Sequence, residues 1–177
     1  LDIVSGFHTD PVGLLLSDRS DWAVVSEMED NPNVIYKPLF SYEMVGICSK
    51  DHPLANKEVW QAEDFAEETW VTYPVPDDML DLYRQVLKPK GINPPRRTTE
   101  LTIALIQLVA SRRGIATVPY WAALPYLEKG YVVARKITEE GLYSNLYAAI
   151  RKEDANLAYI EDFHQTVKAQ SFSTLPG

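Results

Sequence analysis

The chain predicts an α/β fold in two lobes, and three observations carry that reading. Short apolar runs that read as strands alternate with stretches of about ten residues at helical spacing, the pattern of βαβ units and of a largely parallel sheet. Longer crossings interrupt the alternation twice, near Lys50–Asp64 and near Ile137–Gly141, which predicts a second lobe inserted into the first. The 177 residues, 46% hydrophobic and 24% charged, suffice to bury one core or two small ones. No internal repeat, low-complexity tract or long flexible linker interrupts the pattern.

Taken in order, Leu1–Ser5 reads as a short strand through Ile3 and Val4, and Gly6-Phe7-His8-Thr9 leaves it. Pro11 suits the first turn of a helix reaching Leu16, where its missing N–H costs nothing. Trp22–Ser26 is a compact strand run, Asn31-Pro32-Asn33 a turn, and Val34–Leu39 a brief extended piece. Tyr42–Ser49 is a longer strand in which Gly46 marks a bulge or a close backbone contact. Trp60–Phe65 is a short helix or turn, and Trp70–Tyr73 a strand that Pro74 and Pro76 stop. Asp77 or Asp78 caps a helix striped by Leu80, Tyr83 and Leu87 and ended by Pro89 and Gly91.

Thr98–Pro119 reads as helix, tight stop and buried strand. Leu101, Leu105, Leu108 and Val109 make one apolar stripe. Thr98 and Thr99 are candidate caps, Arg112 and Arg113 suit the negative end of the macrodipole, and Gly114 can end the helix left-handed. Ile103, Ile106 and Ala110 form a second apolar patch roughly opposite the first, so this helix has two neighbours. Ile115–Val118 is a short covered strand. Pro125 limits the next helix to a start around Ala122–Leu124 and an end by Gly130. Tyr131–Ala134 and Ser144–Ile150 are strands. Asn156 caps a final helix with Ile160, Phe163 and Val167 on one face.

Charge and residue types narrow the function. A net charge of −8 and a pI near 4.9 argue against a grip on nucleic-acid phosphates by this stretch of chain. No apolar run is long enough to span a bilayer, and the first residues lack a signal-peptide pattern. The single cysteine, Cys48, excludes an internal disulfide and fits a reducing compartment. His8, His52 and His164 lack ligand spacing, so no metal is expected. There is no nucleophile elbow, dinucleotide fingerprint or P-loop, and hence no catalytic residue or cofactor to name. Asp77 and Asp78 fit capping better than acid–base work, Cys48 an inert buried thiol, and Arg96-Arg97 and Arg112-Arg113 solvated surface.

Binding is better supported. Ligands of open α/β sheets sit beyond the C-terminal ends of strands. Those ends are Tyr73-Pro74-Val75, Pro119-Tyr120, Thr98-Thr99, Ser26 and Phe7-His8. Thr99 and Thr102 flank a helix start, where backbone N–H groups can hold a carboxylate. Each residue alone has a structural explanation, and only their convergence makes a small-ligand site.

Five motifs carry a resemblance. They are Val109-Ala110 with Gly114-Ile115-Ala116 and Pro119, then DHPLA at Asp51–Ala55, YPV at Tyr73–Val75, LIQLVA at Leu105–Ala110 and LYAAIR at Leu146–Arg151. Together, and in order over nearly the whole chain, they resemble the effector-binding domain of LysR-type transcriptional regulators, most of all those of the methionine pathway. The resemblance implies two Rossmann-like lobes as in type II periplasmic binding proteins. It places Leu1–Glu63 and Gly141–Gly177 in lobe I and Asp64–Glu140 in lobe II. It implies that lobe I lacks its first strand and helix here, so that Leu1–Ser5 is displaced or paired in a non-family way. It implies homocysteine as effector; the strand ends and helix start above make Phe7, Ser26, Tyr73, Pro74, Val75, Thr99, Thr102, Pro119 and Tyr120 the residues expected to bind it. It further implies a homodimer through Ile103, Ile106 and Ala110, a tetramer in the full-length protein, a cytoplasmic location, and DNA contact only through an N-terminal helix-turn-helix outside this chain. The competing expectation is a solute-binding protein of a transport system, which shares the architecture. An enzyme on the same fold lacks a nucleophile–base pair.

Overall fold

The computed structural model describes residues 1–4 and 10–174, with side chains through residue 171. It divides into two compact units, Leu1–Ser41 with Ser144–Gly177, and Tyr42–Tyr143. The second unit is inserted in the first, and the chain passes between them inside two long strands. The lower limit of the inserted unit lies at Tyr42, not at Asp64. The reason is that Val34–Leu39 and Tyr42–Ser49 are not separate pieces but one continuous strand, β2 (Val34–Cys48), which serves both units.

Unit 1 comprises residues 1–41 and 144–177. Helix α1 (Pro11–Leu16) starts as its sequence predicts, with Pro11 in the first turn and the Asp10 carboxylate accepting the Gly13 N–H at 2.9 Å. Strand β1 (Ala23–Val25) pairs antiparallel with β8 (Leu142–Arg151), which lies beside β2. Val12, Leu15, Val25, Val34 and Ala149 form one small core, and Leu39, Ala148, Ile150, Ala155 and Ile160 another. Helix α4 (Ala158–Thr174) covers the second. Asn156 lies two residues ahead of it, one position too early to cap. Leu1–Val4 form no strand; Leu1 and Ile3 are almost wholly exposed. Ser5, Phe7 and His8 lie outside the described residues.

Unit 2 carries the remaining strands: β3 (Val59–Trp60), β4 (Trp70–Thr72), β5 (Arg96–Thr98), β6 (Ile115–Pro119) and β7 (Val133–Ile137). Strands β4, β5 and β6 are mutually parallel with β4 in the centre, and β3 is parallel to β7. β2 runs antiparallel to β6 and β7, so the sheet is mixed rather than largely parallel. Alternate strand residues feed two cores. Cys48, Trp70 and Ile115 point to one with Trp60, Phe65, Leu87 and Ile137; Ile47, Val71 and Ala116 point to the other with Leu105, Ile106 and Val109. Gly46 is a close contact: a Cβ there would sit 2.3 Å from the Trp60 ring.

Several local expectations give way to tertiary context. Thr98 ends β5 and Thr99 donates its N–H to the Thr72 carbonyl at 3.0 Å, so neither caps the helix that follows. That helix, α2 (Thr102–Ala110), starts after Leu101 with no side-chain cap. Its stop is built by Arg112, not Gly114. Arg112 takes the left-handed conformation at φ 59°, with its N–H on the Val109 carbonyl (3.0 Å) and that of Arg113 on Leu108 (2.9 Å), a Schellman stop. Gly114 is needed for approach: at φ 145°, its Cβ would stand 2.2 Å from the Thr69 carbonyl oxygen. Helix α3 (Tyr120–Glu128) begins at Tyr120 and tolerates Pro125 in its interior. Asp77 and Asp78 lie inside a 3-10 turn, Asp77–Met79, and pair with Arg96 and Lys88 instead of capping. The chain then continues through a π turn, Tyr83–Leu87, to Gly91, left-handed as expected.

Candidate functional site

Parallel strands β4, β5 and β6 end at one edge of the unit 2 sheet, and this edge gathers most of the residues singled out from sequence. Tyr73-Pro74-Val75 continue from β4, Thr99 from β5, and Pro119 and Tyr120 from β6. Tyr73, Pro74, Val75, Thr99, Thr102, Pro119 and Tyr120 are all half-buried, the exposure of groups that can meet a ligand without being lost in a core. Tyr73 and Val75 pack toward opposite cores, so the chain leaves strand alternation, which would put both on one face, as it turns through Pro74.

The central contact joins the Tyr73 phenol to the Thr102 hydroxyl, with 2.8 Å between the oxygens. Thr102 is the first residue of α2, where backbone N–H groups have no acceptor within the helix. Burial pushes the Tyr73 phenol up from its ordinary value, against a smaller opposing effect of the Thr102 hydrogen bond. The phenol therefore keeps its proton at neutral pH and can donate to Thr102 Oγ1. That leaves the Thr102 O–H to donate outward. Hydroxyls and helix N–H groups together favour an anionic group such as a carboxylate.

Ser26 is exposed at the end of β1, in unit 1. Phe7 lies outside the described residues. The patch on α2 is not what periodicity implies. Ile106 is fully buried in the unit 2 core, Ala110 is half-buried, and Ile103 is 64% exposed. The apolar residue sharing Ile103's exposure is Leu101, which precedes the helix instead of striping its inner face. The shift follows from where the helix starts: the core face is set by Leu105, Ile106 and Val109.

Other chemically capable groups have structural work. Burial pushes the Cys48 thiol up to about 11, so it stays protonated and inert. His52 Nδ1 accepts the Leu54 N–H at 3.2 Å, and its Nε2 lies 3.3 Å from Glu68. Among the described residues, no group of histidine, cysteine and acidic side chains could hold a metal, and no helix is long and apolar enough to cross a membrane. Sequence reasoning passed over Trp121. Its indole N–H, in the first turn of α3, is buried without a hydrogen-bond partner among the described residues. Only three-dimensional accounting could find it.

Comparisons with known proteins agree with this architecture. The family model for the LysR substrate binding domain matches residues 1–171. The HTH-type transcriptional regulator MetR of Haemophilus influenzae is 83% identical over 177 residues, all of this chain and 57% of that protein. MetR of Escherichia coli is 35% identical over 176 residues, 99% of this chain and 55% of that protein. The solved regulatory domain of MetR from N. meningitidis superposes with a TM-score of 0.89 at 64% identity, covering 99% of this chain and 82% of that one. The chain spans about half the length of the curated relatives it matches.

Proposed function

Since the chain belongs to the LysR substrate binding domain family, we propose that it is the effector-sensing part of a DNA-binding transcription regulator of methionine biosynthesis, with homocysteine as effector. In this reading the full-length protein is a cytoplasmic homodimer or tetramer and meets DNA through an N-terminal helix-turn-helix. The observation that carries the ligand assignment is the Tyr73–Thr102 hydrogen bond at the head of α2. It sets a neutral hydroxyl pair beside free helix N–H groups, a fit for the carboxylate of an amino acid. Tyr73-Pro74-Val75 supply a rigid wall for its apolar stem. A role as solute-binding protein of a transport system loses its support, because the relatives matched over this whole chain are transcription regulators.

Calorimetry on the full-length regulator tests the assignment. Thr102→Ala removes the donor to a charged group and should weaken homocysteine binding by about 1.5–3 kcal/mol. Equal affinities would remove Thr102 from the site, and no heat with wild type would remove homocysteine. The dimer has its own test. Ile103 presents an exposed apolar side chain on α2, so Ile103→Asp should shift the mass from light scattering toward monomer while leaving the fold intact. An unchanged mass would exclude this face.

A further inference from the structure

Three arginines are withdrawn from solvent, and two of them are paired: Arg96 with Asp77, and Arg151 with Asp21 and Asp154. The third, Arg135 of β7, has no carboxylate partner among the described residues. It gives one N–H to the Ala134 carbonyl at 2.6 Å and another to the Ala55 carbonyl. Both acceptors are neutral, so the charge itself has no counterion. Its field reaches the buried Cys48 thiol, where it partly offsets the effect of burial. Withdrawing a cation from water without a counterion is costly.

The space beside Arg135 is open. Arg135, Ala134, Ala55, Asn56 and Glu58 line a hollow of about 520 Å³ in unit 2, between β7 and the 3-10 turn Pro53–Asn56. Its apolar wall is made of small side chains, with Ala55 buried and Ala134 half-buried. Glu58 brings the opposite charge. Val59 pairs with Lys136 in the parallel β3–β7 ladder, so one residue earlier Glu58 and Arg135 come level. No ion pair joins them, and Glu58 has no other among the described residues. A cation, an anion and an apolar wall thus share one hollow, the complement of a zwitterion. The remaining guanidinium N–H groups suit a carboxylate, and Glu58 suits an ammonium while repelling a polyanion such as phosphate. We propose that this hollow is a second small-molecule site, taking an α-amino acid with an apolar side chain. The carboxylate lies on Arg135, the ammonium on Glu58 and the side chain against Ala55 and Ala134. The hollow shares no residue with the β4–β5–β6 edge and does not depend on what binds there.

The test uses the full-length regulator labelled with ¹⁵N-arginine, the Arg135 side-chain resonance being assigned by its loss in Arg135→Gln. The probes are leucine and methionine, their 2-oxo acids, the amino alcohols leucinol and methioninol, and inorganic phosphate. Both amino acids should shift the Arg135 resonance saturably, and Thr102→Ala should leave that shift unchanged. In equilibrium dialysis, Arg135→Gln and Glu58→Gln should each weaken amino-acid binding about tenfold. Glu58→Gln should also bring the 2-oxo acids level with the amino acids. No shift with either amino acid overturns the proposal, as does an equal shift with phosphate, the 2-oxo acids or the amino alcohols in wild type. Loss of the shift in Thr102→Ala overturns it too, since the binding would then belong to the edge. Should Arg135→Gln fail to fold, Arg135→Lys supplies the assignment and the exposed Glu58→Gln decides. The homocysteine calorimetry judges the effector reading separately.

Discussion

Unit 2 packs Trp60, Phe65, Trp70 and Leu87 on one face of its sheet and Leu105, Ile106 and Val109 on the other, all with almost no exposure. Unit 1 builds smaller apolar clusters and places polar groups among them. Arg151 ends β8 with a side chain only 10% exposed, and His164 of α4 is 4% exposed. Apolar packing is non-directional and insensitive to pH, whereas a buried cation depends on every partner it keeps. The site edge described above therefore stands on the more apolar of the two frameworks. Unit 1 should be the half whose stability responds to charge.

Arg151→Ala should have the largest effect. The guanidinium donates to the Leu15 carbonyl at 2.8 Å, the Ser20 carbonyl at 2.7 Å, Asp21 at 3.0 Å and Asp154 at 2.5 Å, so it ties α1, the following loop and the end of β8 together. Burial disfavours its charge, but its carboxylate partners more than offset that and leave its pKa raised. Removing it strands Asp154 and two carbonyls, a class of change that costs about 3–5 kcal/mol. Amide hydrogen exchange should show protection lost across unit 1 and kept across β4 and β6. Equal loss in both units would break the comparison, since they would then unfold as one.

A pair of substitutions on α2 sharpens the picture of unit 2. Ile106→Ala opens a cavity in a packed core and should cost about 2–5 kcal/mol in urea unfolding. Ile103→Ala, three residues earlier but exposed, should stay within about 0.5 kcal/mol when the subunit is diluted to monomer. Similar costs for both would mean that the helix faces are assigned wrongly.

These two isoleucines also show what the sequence could and could not reveal. Helical spacing located α2, but an apolar residue on a helix wheel does not say which neighbour it meets. The alternation of strands and helices and the ends of β4 and β6 were legible, because periodicity and proline punctuation are local signals; β3 and β5, two and three residues long, were not read as strands. β2 was read as two pieces, since Lys37-Pro38 and Ser41 break an apolar run without breaking pairing in a long crossing strand. Thr98 and Thr99 looked like caps because hydroxyls before a helix usually are; pairing with β4 claims them first. Arg112 at a left-handed stop runs against glycine preference and is held by the two backbone hydrogen bonds of the stop. Of the site, the residue types and their shared edge were legible. The Tyr73–Thr102 bond was not, because it depends on the distance between segments far apart in sequence.

The smallest expected effect belongs to His164. Burial holds its imidazole below the usual histidine range, Lys37 and Lys168 push in the same direction, and Glu161 opposes them. Lys37 is itself paired with Glu161, which blunts that opposition. Since the folded pKa is depressed, the unfolded chain binds the proton first as pH falls. Stability from this residue is therefore complete above the ordinary histidine pKa of about 6.5 and declines below it, until the folded form also takes up its proton. One such group changes stability by at most about 1.4 kcal/mol per pH unit in that window. His164→Gln keeps a polar side chain of similar length and removes the titration. Denaturant unfolding of wild type between about pH 7.5 and about pH 5.5, about one unit to either side of 6.5, should slope downward relative to the variant, with the loss read from unit 1 amides. A parallel pair of curves would show that His164 is as easily protonated folded as unfolded, and the charge sensitivity of unit 1 would then rest on Arg151 alone.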